Sequence, residues 1–137
     1  MNTHLFLFLF ITTITVINAQ KIQSNNYNTS GFVKSDGTIE DRNYNTIGYF
    51  KSDGTIQDEN YKTIGYIKND GTISNKNYTT LGNVKPDGTV QGENHKILGY
   101  IKEDGTVQNK NHHTIGHVNN IKKEWAAAFY FFFDFSL

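Results

Sequence analysis

Apolar and polar positions along the chain recur with a period of seventeen residues. Each copy has glycine first, an apolar residue third, Asp-Gly-Thr at the sixth to eighth positions, Ile or Val ninth, and Ile or Leu last. The five copies span residues 31–47, 48–64, 65–81, 82–98 and 99–115. A short fixed period of this kind indicates a repeat architecture in which one small unit is stacked or arranged in a ring.

Each copy carries the signals of a β-hairpin, because apolar runs flank an Asp-Gly pair. In the third copy the pattern predicts strands from Ile64 to Lys68 and from Thr72 to Ser74. The fourth copy has Pro86 before the Asp, and proline suits the first central position of a type I turn because its ring holds φ at about −65°. We therefore predict a type I turn with a positive-φ glycine in a G1 bulge. These glycines are Gly37, Gly54, Gly71, Gly88 and Gly105.

Polar segments rich in Asn separate the hairpins, and Asn favours turns because its side chain bonds the backbone and tolerates the left-handed region. The first-position glycine then lies inside a strand, where glycine marks a bulge or the close approach of another backbone. Half-units flank the array, with residues 22–30 resembling the end of a copy and 116–118 the beginning of one. We therefore predict an all-β ring whose termini join and remove the exposed strand edges. The sequence leaves open whether the ring has five petals or a sixth formed by the termini.

The C-terminal segment differs in composition and is dominated by aromatic residues. Nine consecutive apolar residues run from Trp125 to Phe133, fewer than the roughly 20 that a membrane-spanning helix needs. The repeat strands are also too short for an outer-membrane barrel, whose strands have about 9–11 residues. We predict that residues 125–135 form a closing aromatic strand, buried on both faces and packed into or across the ring.

The N-terminal segment, Met1 to Ala19, has no Lys, Arg, Asp or Glu and an apolar centre. It is typical of a secretory signal peptide, with an uncleaved anchor as the alternative. We therefore expect residues 20–137 to form a single exported domain, periplasmic or extracellular, without a membrane span. Thirteen basic residues balance thirteen acidic ones, so charge gives no reason to expect nucleic acid as a partner. The chain has no cysteine, and we expect packing and strand pairing to stabilise it without disulfides.

Residues that could carry chemistry are few. The Thr after each turn suits the start of a strand better than the role of a nucleophile, because no base recurs beside it. His112, His113 and His117 lack the pattern of a metal site, and one Asp per turn does not provide the six to eight oxygens that calcium prefers. The sequence therefore predicts a non-enzymatic protein with no cofactor and no metal.

Copies such as 48–64, 65–81 and 99–115, with Asn-Tyr or Asn-His near their ends, precede a Trp-Ala-Ala-aromatic tail at Trp125 to Phe133. This combination resembles the exported bacterial proteins called five-fold β-flower proteins, over essentially the whole mature chain. The resemblance implies an all-β fold with hairpin petals around a pseudo-five-fold axis, and it implies no activity. The fourth copy departs most from the pattern, with Asn83 in place of Tyr or Phe and Pro86 before the turn.

Two functions from different classes fit these residues. The first is a structural or protein-interaction module of the periplasm or cell surface. The second is a multivalent glycan-binding protein, in which planar rings beside Asn hold sugars by stacking and hydrogen bonding. Burial of Tyr44, Tyr61 and Tyr78 under neighbouring petals would favour the first function, and exposure in a shallow cleft the second. The candidate ligand-binding residues are Asn43, Tyr44, Asn60, Tyr61, Asn77, Tyr78, Asn94, His95, Asn111 and His112.

Overall fold

The computed structural model describes residues 20–135, so the predicted signal peptide at residues 1–19 lies outside the described part. Twelve strands form in this range, followed by a short helix, α1 (Lys123–Ala127), and one π-helical turn (Ala128–Phe132). The strands are β1 (Lys21–Ser24), β2 (Thr29–Val33), β3 (Thr38–Asp41), β4 (Thr46–Phe50), β5 (Thr55–Asp58), β6 (Thr63–Ile67), β7 (Thr72–Asn75), β8 (Thr80–Val84), β9 (Thr89–Gln91), β10 (Ile97–Ile101), β11 (Thr106–Asn109) and β12 (Thr114–Val118).

The strands form a closed antiparallel barrel in which each strand pairs with its neighbours in the chain. The circle is completed by β1 and β12, which pair with Ile22 opposite Val118 and Ser24 opposite Gly116. The two half-units therefore join, as predicted. Closure satisfies the backbone groups that an open array would leave exposed at its edges.

The Asp-Gly turns have the predicted geometry. In the third copy the amide of Gly71 donates to the carbonyl of Lys68 at 3.0 Å, which closes the type I turn. The five turn glycines have φ between +88° and +91°. The two residues before each of them do not have positive φ, which excludes a type I′ turn. The Asn-Tyr and Asn-His segments connect successive hairpins at the opposite end of the barrel.

The barrel core consists of apolar side chains from two positions of the repeat. The third position supplies Val33, Phe50, Ile67, Val84, Ile101 and Val118, and the ninth supplies Ile22, Ile39, Ile56, Ile73, Val90 and Val107. All are buried except Ile67, which is partly buried. The half-units provide Val118 and Ile22, so the termini complete both sets.

The prediction of a C-terminal strand is wrong, because residues 123–132 are helical. A closed barrel has no free strand edge, so an extended segment inside it would leave its amides and carbonyls without partners. A helix satisfies these groups internally. Ala126, Ala127 and Ala128 have high helix propensity and lie fully buried in the apolar cluster. After them, the amide of Phe133 donates to the carbonyl of Ala128 at 3.0 Å, the spacing of a π-turn.

The tail nevertheless packs inside the ring, and its aromatic rings lie against five of the first-position glycines. Its burial is less complete than predicted, because residues 129–133 are partly buried and Asp134 is exposed. At each of these positions a Cβ atom would collide with a tail ring and with the carbonyl oxygen of an adjacent strand. The contacting pairs are Gly116 with Tyr130, Gly99 with Phe131, Gly82 with Phe132, Gly65 with Phe133 and Gly48 with Phe135. Residues 130–133 and Phe135 thus contact these five glycines in reverse chain order, one ring each.

Candidate binding surface at the aromatic rim

In four of the five copies, the loop that carries the candidate residues is held by one side chain at the eleventh position of the copy. In the second copy, Asp58 Oδ1 accepts hydrogen bonds from the amides of Asn60 at 2.9 Å and Lys62 at 3.0 Å. Asn75 Oδ1 accepts the equivalent pair in the third copy, at 2.9 and 3.0 Å. Asp41 and Asn109 do the same in the first and fifth copies. The side-chain acceptor fixes the loop locally, as in an Asx-turn.

This loop geometry places an aromatic residue in the left-handed region. The φ values are 61° for Tyr27, 65° for Tyr44, 63° for Tyr61, 64° for Tyr78 and 64° for His112. The four tyrosines are 65–70% exposed. We call the exposed rings Tyr27, Tyr44, Tyr61, Tyr78 and His112 the aromatic rim.

Each ring of the aromatic rim stacks on a second ring from a neighbouring strand. Ring centroids are 3.8 to 5.0 Å apart, and the planes are inclined by at most 13°. The pairs are Tyr27–His117, Tyr44–Phe32, Tyr61–Tyr49, Tyr78–Tyr66 and His112–Tyr100. One face of each rim ring is covered, and the high exposure of the tyrosines leaves the opposite face to solvent.

Hydrogen bonding to a rim tyrosine raises the pKa of two second-position tyrosines. The hydroxyl of Tyr61 raises the pKa of Tyr49, and that of Tyr78 raises the pKa of Tyr66. Both groups start from an ordinary value of 10.0, so these rings stay neutral at physiological pH.

The predicted site residues occupy five separate loops and do not converge on one pocket. In four copies, the predicted Asn and the following ring lie side by side in an exposed loop. Asn94 and His95 differ, because both have positive φ and lie in a 3-10 turn, Glu93–His95. Gly92 takes the place of the Asp or Asn acceptor there, so no side chain holds this loop.

Sequence reasoning missed three parts of this surface. It did not assign the stacking partners at the second position, nor the acceptors at the eleventh, nor Tyr27 in the N-terminal half-unit. Tyr27 stacks on His117 from the opposite end of the array. A recurring aromatic pair twelve residues apart, as in Tyr49 and Tyr61, was the available signal.

Two of the histidines belong to the stacked ring pairs. His112 and His117 each stack on a tyrosine. Among residues 20–135, no group of three or more His, Asp or Glu side chains is placed to hold a metal ion. No helix in the same range has both the length and the apolar character to cross a membrane.

A family model described as 5-fold beta-flower protein matches residues 19–134. The match covers nearly the whole chain and confirms the resemblance inferred from the repeats and the tail. No curated protein and no solved structure matches the chain.

Proposed function

The chain belongs to the 5-fold beta-flower family, and we propose that it is an exported, non-enzymatic protein that binds glycans through the aromatic rim. Export is inferred from the apolar segment at residues 1–19. We propose further that the five Asp-Gly hairpins act as five petals around the barrel axis, and that the first, second, third and fifth copies each present one ring of the rim. The paired termini complete the circle and add Tyr27.

The observation that carries the proposal is the conformation of the exposed tyrosines. A left-handed residue costs roughly 1–2 kcal/mol, whereas a stacked aromatic pair contributes about 0.5–1.5 kcal/mol. The two effects nearly cancel, so stability gives little reason to keep a tyrosine where Asn or Gly would fit without strain. Strained and exposed positions of this kind are typical of functional sites. Exposure of Tyr44, Tyr61 and Tyr78 also favours glycan binding over a packing role.

The chemistry of the rim matches a sugar. The free face of each ring can stack on the C–H face of a pyranose, and the neighbouring Asn can donate and accept hydrogen bonds with its hydroxyls. Each such platform is shallow and binds weakly by itself. Five platforms on one rigid barrel bind a repetitive glycan more tightly by avidity.

A protein of the cell envelope is the second candidate partner. Tyrosine is enriched in protein interfaces, where it provides a large rigid contact area. The two candidates differ in stoichiometry, because a protein partner would cover several rim positions at once. Free monosaccharides would not compete with such a partner.

A glycan array probed with the mature chain tests the proposal. A triple variant, Tyr44→Asn, Tyr61→Asn and Tyr78→Asn, removes three rings and places a residue that tolerates the left-handed region. We expect the variant to fold and to lose most of the array signal. The matched control, Ser35→Asn with Ser52→Asn at the Asp-Gly end of the barrel, should keep the full signal. Equal signals from the triple variant and the control, or no signal from the parent chain, would refute the proposal.

A further inference from the structure

The fourth copy lacks the ring pair that the other copies form at the rim. Its second position is Asn83, which lies opposite Thr72 on one side and Gln91 on the other. In the second copy the equivalent row is Thr38, Tyr49 and Gln57. The sheet is therefore the same, and a small polar side chain stands where the aromatic ring stands elsewhere.

The loop above Asn83 also differs. Asn94 and His95 have φ of 56° and 60°, two consecutive residues in the left-handed region. Gly92 donates its amide to the carbonyl of Lys96 at 2.8 Å, but no side chain bonds the loop amides. Within residues 20–135 no aromatic ring stacks on His95, and its side chain is exposed.

These two differences leave an open groove of about 1030 Å³ between the loop and the sheet. Asn83, which is partly exposed, and Gln91, which is 8% exposed, line it and carry side-chain amides. The exposed His95 lies at the same groove. Asp70, Lys85 and Glu93 lie at the same groove and carry charges of both signs. Mixed charge favours neither an anionic nor a cationic ligand, whereas two primary amides supply the donors and acceptors that a polyhydroxylated ring requires.

We propose that this groove is a distinct binding site for one uncharged sugar ring. The sugar stacks on His95 and takes the place of the second-position tyrosine that stacks on the loop ring in the second, third and fifth copies. The amides of Asn83 and Gln91 bond its hydroxyls. The inference rests on the proposed glycan-binding function and makes the fourth copy the site that recognises a single sugar unit. The other copies then provide the weaker, repeated contacts.

A protein-observed NMR titration with methyl glycosides of glucose, galactose, mannose and N-acetylglucosamine tests the site. We expect one of these probes to shift the side-chain amide signals of Asn83 and Gln91 and the ring signals of His95. The variant Asn83→Tyr restores the ring that the other copies carry and fills the groove. It should fold, because Tyr100 stacks on His112 at 4.6 Å in the next copy, and it should bind the probe at least about tenfold more weakly.

The rim variant of Tyr44, Tyr61 and Tyr78 separates this inference from the proposed function. It should keep the shifts at Asn83 and Gln91 unchanged while losing signal on the glycan array. If Asn83→Tyr binds the probe as tightly as the parent, or if none of the four probes shifts these signals at millimolar concentration, the groove is not a sugar site. Loss of array binding in the rim variant alone would still support the proposed function.

Discussion

The ring of Phe135 occupies the space beside the Cα of Gly48. A Cβ atom on Gly48 would lie 2.9 Å from the Phe135 ring and 2.8 Å from the carbonyl oxygen of Gln57, distances that real Cβ atoms do not show. The same relationship links four further glycines to four further tail rings. The recurring glycine therefore leaves room for an aromatic tail inside a barrel with twelve strands.

Replacing Gly48 by Ala should destabilise the barrel. The added methyl group would force the Phe135 ring or the adjacent backbone to move, and overpacking of this kind costs about 1–3 kcal/mol. The control is Gly92→Ala, because the three atoms nearest to a Cβ there belong to the flexible side chain of Leu98, at 3.2 to 3.4 Å. Thermal unfolding should show a clear decrease in Tm for Gly48→Ala and little change for the control. Equal Tm values would contradict the packing argument.

Removing the tail should prevent folding. Truncation after Lys123 deletes Ala126–Ala128 and the aromatic rings, and leaves the apolar barrel lining exposed to water. We expect an unfolded or aggregating chain, measured by size-exclusion chromatography and circular dichroism. A soluble truncated chain that melts cooperatively would show that the barrel does not depend on its tail.

The role of the eleventh-position acceptor in holding the loop can be tested because this position is Asp in some copies and Asn in others. Asp58→Ala leaves the amides of Asn60 and Lys62 without their acceptor and should cost about 1–2 kcal/mol of unfolding free energy. Asp58→Asn should be nearly neutral, because Asn75 already performs the same role in the third copy. Urea denaturation of the two variants measures the difference. Similar losses in both would mean that the carboxylate charge, rather than the oxygen acceptor, holds the loop.

Acid should weaken the fold through the Asp-Gly turns. In each turn the backbone amide of the following Thr bonds the Asp carboxylate, and this bond lowers the pKa of the Asp below its ordinary 3.8. A lowered folded-state pKa gives stability that is present above about pH 4 and is lost as the pH falls through the folded-state value. Tm should therefore decrease between about pH 4 and pH 2.

The matching variant replaces the five turn carboxylates by Asn, which keeps the acceptor oxygen and does not titrate. Its Tm should vary less over this pH range than that of the parent. The same acid dependence in both proteins would exclude the turns as its source. The substituted residues are Asp36, Asp53, Asp70, Asp87 and Asp104.

Tyr130 should make the fold sensitive to alkali. Its hydroxyl donates to the carbonyl of Gln23 at 2.8 Å, and burial raises its pKa to about 12. Because the folded-state pKa lies above the ordinary 10.0, the stability is fully present below pH 10 and is lost as the pH rises towards 12. The free energy of unfolding of Tyr130→Phe should be about 1 kcal/mol lower than that of the parent at neutral pH. It should also decrease less as the pH rises from 10 towards 12. An unchanged alkaline profile would indicate that another group causes the loss.

The barrel strands and turns were predictable because their signals are local. Asp-Gly fixes its turn through the positive φ of Gly71, and the third and ninth positions face the core in every copy. The rim was only partly predictable. Tyr61 was identified as a candidate, but its partner Tyr49 lies on a different strand and becomes its neighbour only when the sheet forms.

The sequence by itself determined the repeat, its hairpins and the joining of its half-units, since each depends on nearby residues or on the matching of one unit to another. Only the tertiary structure decided the conformation of the tail. Residues 125–135 are apolar enough for a strand buried on both faces, but closure of the barrel removes every edge with which a strand could pair. The tail therefore satisfies its own backbone as a helix, and the first-position glycines provide the space for its rings.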